Sequence, residues 1–315
     1  MNGRRSLSPV NVSTQRTNMQ SLAASLITET HREVVACWQL GPQLTGGRWY
    51  DIYQAAPKTV SLENGYGYVI KMINPNLTGS NVTLAIDRLS REAIATEQIL
   101  HPNVIRLLDA ELDRAPFFLV QPWIEGRSYD RFLSNSSQLS LSRMLWATRQ
   151  IAEGITAAHE SNRVHLGLEP AHIILGRTGR ATLLGWSQSH ACGEKTWLPH
   201  DQMQLARYTA PECFETDYVA DKASDVYALG ALLYQSLTQK HPFSGASIAE
   251  ITKAHRHQIP ADLQFVQPLC PPVLSSLVKE MLFKNPRNRP TSRQVLNRLI
   301  AVEIEHLTDQ TMIPL

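Results

Sequence analysis

The residues Val164 to Leu175 read Val-His-Leu-Gly-Leu-Glu-Pro-Ala-His-Ile-Ile-Leu and bring His165, Glu169 and His172 together in one short stretch. Glu169 is a carboxylate able to take a proton or hold a cation. His172 is a poor ligand for Mg²⁺, because that hard cation prefers oxygen. No Asp or Glu occurs from Pro170 to Gly193, so no later carboxylate in this region serves that purpose. A second chemical group is Lys71, in Tyr68-Val-Ile-Lys. Strand alternation puts Val69 and Lys71 on one face. Glu92, in Leu-Ser-Arg-Glu-Ala, lies at the start of a helix that runs to Ile99. Gly46 and Gly47 sit in a strand–turn–strand pattern. Glycines there let backbone amides approach a phosphate, and they equally suit a plain hairpin turn. His190 with Cys192, and His255 with His257, are pairs too small for a zinc site.

These groups need elements to hold them. Strand signals begin at Trp38, and Phe117 to Val120 is an apolar run of strand length. A polar break at Ser134–Gln138 precedes an amphipathic helix from Leu141 to Ser161, with Leu145, Ile151, Ile155 and His159 among its repeating positions. A last helix covers Ser292 to Glu305. The length of 315 residues suits one two-lobed domain or two small ones. A net charge of +2 gives no argument for nucleic acid or a membrane surface. The scattered cysteines Cys37, Cys192, Cys213 and Cys270 fit free thiols in a reducing compartment. No apolar run approaches the ~20 residues of a membrane-spanning helix.

Val164 to Leu175 resembles the catalytic loop of eukaryotic-type (Hanks-type) Ser/Thr protein kinases, V-H-R-D-L-K-P-E-N-I-L-L. The apolar frame is kept at Val164, Leu168, Pro170, Ile173, Ile174 and Leu175, together with His165. By that resemblance the family's arginine is Leu166, its catalytic aspartate Gly167, its lysine Glu169 and its metal-binding asparagine His172. Leu44 to Tyr53 lies where the family has its glycine-rich loop. There Thr45, Gly47 and Tyr50 occupy the three glycine positions, with Trp49 and Tyr50 at the tip. Tyr68–Lys71 resembles the V-A-I-K strand, whose lysine holds phosphates and pairs with a helix glutamate, which the resemblance places at Glu92; such a pair can hold an anionic phosphate or act as a structural ion pair, and both readings stand. Val69 replaces the alanine that lies against adenine. His101-Pro-Asn-Val-Ile is similar to the family's H-P-N-I-V turn. In the hinge, Gln121 is the gatekeeper, and the Pro122 carbonyl and Ile124 N–H are the groups that would meet adenine. Gly185-Trp186-Ser187 stands in place of Asp-Phe-Gly, whose aspartate binds Mg²⁺. Gln204 to Glu212 resembles G-T-P-x-Y-x-A-P-E, with Leu205 in place of the threonine. Asp225 to Gly230, His241-Pro-Phe243 and Arg289-Pro-Thr291 match scaffold motifs, in which Asp225 braces the catalytic loop and Arg289 pairs with Glu212.

The resemblance, over about residues 38–303, implies an α+β bilobal fold with a small β-rich N-lobe carrying one main helix and a larger helical C-lobe. It implies a flexible tail over 1–35, a kinase-like domain over 36–305 and a C-terminal tail over 306–315. Within the domain the N-lobe covers about 36–120, the hinge 121–126 and the C-lobe 127–305. The function expected is that of a pseudokinase, a protein-binding scaffold or allosteric regulator in signalling with impaired phosphotransfer. The alternative is a Ser/Thr kinase with residual or unusual activity, using Glu169. ATP is the candidate ligand through Lys71, Glu92, Gly47, Pro122 and Ile124, with binding and non-binding both left open. Mg²⁺ is not expected, because Gly185 and His172 stand at its ligand positions. The partners expected are other proteins, kinases or signalling components, in the cytoplasm, with no nucleic acid and no membrane span.

Overall fold

The computed structural model describes residues 34–60, 65–134, 140–196 and 203–311, so most of the expected N-terminal tail lies outside the described residues. The chain divides into two compact units, one of residues up to Leu89 plus Leu108–Trp123, the other of Ser90–Leu107 plus everything from Ile124. The sequence-based boundary differs in that Ser90–Leu107 clusters with the second unit rather than with the sheet.

The first unit is a six-stranded sheet: β1 (Val34–Val35), β2 (Trp38–Gly46), β3 (Tyr50–Pro57), β4 (Tyr68–Ile73), β5 (Asp109–Glu111) and β6 (Phe118–Pro122). Their order is β1-β2-β3-β4-β6-β5, antiparallel throughout. Period-two alternation divides its residues between the two faces. Ala55, Ile70, Phe118 and Val120 pack with Val35 and Trp38 into a core on one face. The other face carries Ile52, Lys71 and Leu119 in one cross-strand row and Gln54, Val69 and Gln121 in the next. Trp38 edges onto Tyr68 at 5.1 Å, and its indole N–H donates to Asp109 Oδ2 at 2.7 Å. The helix α1 (Ser80–Gln98) starts in this unit, where Ala85 and Leu89 are fully buried at four-residue spacing.

The second unit is mostly helical. Its strands are β7 (Gly126–Ser128), β8 (Arg163–Val164), β9 (Ile173–Gly176), β10 (Ala181–Leu183) and β11 (His190–Ala191), arranged as a β10-β9-β7 sheet and a β11-β8 pair. Its helices are α2 (Tyr129–Leu133), α3 (Leu141–Glu160), α4 (Met203–Ala206), α5 (Lys222–Thr238), α6 (Ile248–His257), α7 (Leu263–Val266), α8 (Pro272–Met281) and α9 (Ser292–Thr311). Helix α3 begins at Ser140, whose side chain accepts from the Arg143 amide. Helix α5 begins at Asp221, whose side chain accepts from the Ala223 amide. All residues from Ser224 to Tyr234 are buried, which makes α5 the axis of the unit rather than a surface helix. Gly230 is required there, because a Cβ would lie 2.7 Å from Met281 Cβ on α8. The closing helix α9 runs to Thr311, so the expected tail at 306–315 is helical for its first six residues. Arg149 Nε bonds Glu303 Oε2 at 2.7 Å and ties α9 to α3. Among the described residues no helix is long and apolar enough to cross a membrane.

Candidate active site

The loop after β8 is held by its backbone. Asp225, near the start of α5 and fully buried, accepts from the His165 amide (2.8 Å) through Oδ2 and from the Leu166 amide (2.8 Å) through Oδ1. His159 Nε2 donates to the same carboxylate at 2.9 Å, while Nδ1 takes the Ser292 hydroxyl at 2.9 Å. Burial alone would raise the Asp225 pKa, but the His159 hydrogen bond and charge and the loop amide hold it below its ordinary value. These bonds keep Leu166 in the left-handed region, φ 56°. His165 donates from Nε2 to the Leu184 carbonyl (2.9 Å) and accepts at Nδ1 from the Gly167 amide (3.1 Å). Burial pushes its pKa down to about 4. Trp186, in the aromatic position of the family's Asp-Phe-Gly, is fully buried and packs against it with ring centroids 4.2 Å apart and planes tilted by 52°.

Gly167, Glu169, His172 and Gly185 are brought together. His172 donates from Nδ1 to the Gly167 carbonyl at 2.7 Å, and its Nε2 lies 3.6 Å from Glu169 Oε1. That second contact is an ion pair only when the imidazole carries both protons. Glu169 is 7% exposed, so it is a buried carboxylate in the loop. Gly185 has φ +75°, and a Cβ there would meet three ring atoms of His172 at 2.4–2.5 Å. The imidazole therefore fills the space an aspartate would need. At Gly167 a Cβ would meet the Gly185 carbonyl oxygen at 3.3 Å and the His165 ring at 3.6–3.7 Å. Of these four residues Glu169 alone carries a carboxylate, and it is set against His172, whereas Mg²⁺ prefers oxygen donors. No cluster of three metal-binding side chains occurs among the described residues.

Residues 205–213 pack largely by apolar contact. Leu166 and Leu205 line one small cavity with Leu168, Tyr208, Ala210 and Cys213. The expected Glu212–Arg289 pair is present and bidentate, at 2.6 and 2.8 Å, with Ser224 Oγ also donating to Glu212. Arg289 is buried against the Tyr227 ring at 4.7 Å.

In the first unit, Lys71 lies on β4 with its ammonium 4.3 Å from the Tyr50 ring centroid. Gly47 is exposed, and its amide donates to the Tyr50 carbonyl at 2.9 Å. Gln121 is buried next to Pro122, the end of β6. Ile124 opens the second unit and packs on its core. Glu92 is buried in the second half of α1, within the second unit, so it does not start the helix as the sequence suggested.

Sequence reasoning missed His159 as a polar brace, since its place in an apolar repeat made it look like a core residue. It also missed the Tyr50–Lys71 contact, although the aromatic pair at the loop tip was a visible signal.

The comparisons with known proteins agree with these motifs. The protein kinase domain matches residues 53–299. The chain is 28% identical over 271 residues to the serine/threonine-protein kinase PkaA of Streptomyces coelicolor, covering 84% of this chain and 48% of that protein. It is 27% identical to the serine/threonine-protein kinase PknD of Mycobacterium tuberculosis (70% of this chain, 33% of that one). It is 26% identical to the serine/threonine-protein kinase PrkC of Bacillus subtilis (65% and 32%). The chain thus spans about half or less of the length of these curated relatives. Matched over most of its length and carrying the family's loop, Ala-Pro-Glu and arginine motifs in order, this chain belongs to the protein kinase domain family.

Proposed function

We propose that this chain is a pseudokinase, a protein-kinase-family regulator in which phosphate transfer is impaired and which acts by binding other proteins of a signalling system. The observation that carries this reading is the His172 ring against Gly185, beside a Gly167 that offers no side chain. Loss of a general base costs about 10²–10⁴ in rate. Loss of the charge stabilisation around the transferring phosphate costs a comparable factor again. Family membership makes ATP the nucleotide to test. It does not support the expectation that Mg²⁺ plays no part, and the case against the metal rests on Gly185 and His172 alone. The test is phosphate incorporation into a generic acceptor protein from labelled ATP with Mg²⁺ or Mn²⁺. The expected outcome is incorporation no greater than that of Lys71→Met. Robust transfer that Lys71→Met abolishes would refute it.

A second reading, a Ser/Thr kinase working by an altered route, is favoured by the relatives' names and by the buried Glu169 carboxylate. In the same assay it requires that Glu169→Gln remove the activity while the fold is kept.

A further inference from the structure

The tip of the β2–β3 turn is tied down at several points. The Tyr50 hydroxyl donates to the Ala85 carbonyl on α1 at 3.1 Å. The Asn74 amide donates to the Trp49 carbonyl at 3.0 Å, and Asn74 Nδ2 to the Gly47 carbonyl at 2.7 Å. Trp49 is 7% exposed and lies between the guanidinium groups of Arg48 and Arg88, at 4.7 and 4.5 Å. Strand register explains where the Tyr50 ring goes. Ile52 is directly opposite Lys71, and Tyr50, two residues earlier on the same face, is its diagonal neighbour. An aromatic ring reaches across such a diagonal. Its face lies 4.3 Å from the Lys71 ammonium, where the ring quadrupole attracts the cation. At the far end of the same face, beyond Val69, Gln121 Nε2 is buried with no hydrogen-bond partner among the described residues.

The geometry points to Tyr50 as a built-in plug of the phosphate position: this face of the sheet takes a purine nucleoside without phosphates, and excludes the polyphosphate chain. The inference rests on the family reading that places Lys71 at the phosphates. A phosphate oxygen bonding Nζ needs the volume that the ring holds. The ring cannot simply swing aside, because its hydroxyl and the turn behind it are both anchored. The Gln121 donor keeps the base end open to a ligand acceptor.

The experiment is calorimetric titration of the full chain with adenosine and with ATP, without metal, for wild type, Tyr50→Gly and Tyr50→Phe. Wild type is expected to bind adenosine at least as tightly as ATP. Tyr50→Gly should shift the ratio about tenfold or more toward ATP. Tyr50→Phe should fall between wild type and Tyr50→Gly, because the ring remains but its hydroxyl anchor to Ala85 is gone. A wild type that prefers ATP overturns the proposal, as does an unchanged ratio in Tyr50→Gly, including no binding by either protein. Should Tyr50→Gly fail to fold, amine labelling of wild-type Lys71 decides. An unchanged rate with millimolar ATP supports the plug, and protection by ATP refutes it. Failure of the impaired-transfer reading would appear as phosphate incorporation, which neither measurement records.

Discussion

His172 and Gly185 explain each other. A side chain at 185 would need the volume of the imidazole, and an imidazole at 172 needs a glycine opposite. Each is a tolerable change only in the presence of the other, so the two positions are coupled through packing. The consequence is directional. Gly185→Asp puts a Cβ 2.4 Å from His172 Cγ at a backbone φ of +75°. Overpacking of this kind costs about 1–3 kcal/mol, and the left-handed backbone adds roughly 1–2 kcal/mol for a residue with a Cβ. The expected result is a clear fall in the denaturation midpoint for Gly185→Asp. Adding His172→Gly should recover the overpacking part and leave the backbone part. Equal stability of the single and double variants would show that the ring yields freely.

At the scale of elements, residues 203–212 are held by two devices, one polar and one apolar. The polar one, Glu212 to Arg289, was legible because both residues match motifs of the family that the sequence resembles. So were the loop and the strand bearing Lys71, through the same resemblance, and the long helix after Ser140, through its own periodicity. What was not legible joins positions far apart in the chain: His159 to Asp225 and Ser292, or Tyr50 to Lys71 and Ala85. Periodicity says which face a residue is on, but not what meets it there. The apolar device is of the same long-range kind. Leu166 and Leu205 each replace a polar family residue, and they line the same cavity. Residues 203–212 are therefore held in part by burial of these two leucines. Leu205 is 7% exposed, and a carboxylate put there would be buried without a partner. Leu205→Asp should raise amide hydrogen exchange over residues 203–210 while that in α5 stays protected. Unchanged exchange would mean that the leucines do not latch the segment.

The whole molecule places its titrating groups unevenly. Every histidine among the described residues belongs to the second unit. Several are buried as neutral rings. Burial holds His165 down to about 4, and burial together with the Lys284 charge holds His255 down to about 3. His241 is lowered to about 4, by burial first and then by Arg207. His255 sits among Tyr227, Phe243 and Phe214, with Nδ1 bonded to the Tyr227 hydroxyl at 2.8 Å, so protonation has no nearby carboxylate to reward it. In the unfolded chain each ring takes up a proton near pH 6.5. Between about pH 6.5 and 4 the unfolded state therefore binds more protons than the folded one. The stability these rings confer is complete above that window and is lost as the pH falls through it, by up to about 1.4 kcal/mol per unit for each fully buried ring. Asp225 adds to the loss only below its ordinary carboxylate range, because its folded pKa is depressed. Urea midpoints measured from pH 7.5 to 4 should thus fall steadily from about pH 6.5, well above the carboxylate range. His255→Gln should fold with a shallower slope, since it removes one ring that charges only on unfolding. A midpoint that stayed flat until the carboxylates titrate would mean that these imidazoles reach water in the folded protein, and the packing described around α5 would be wrong.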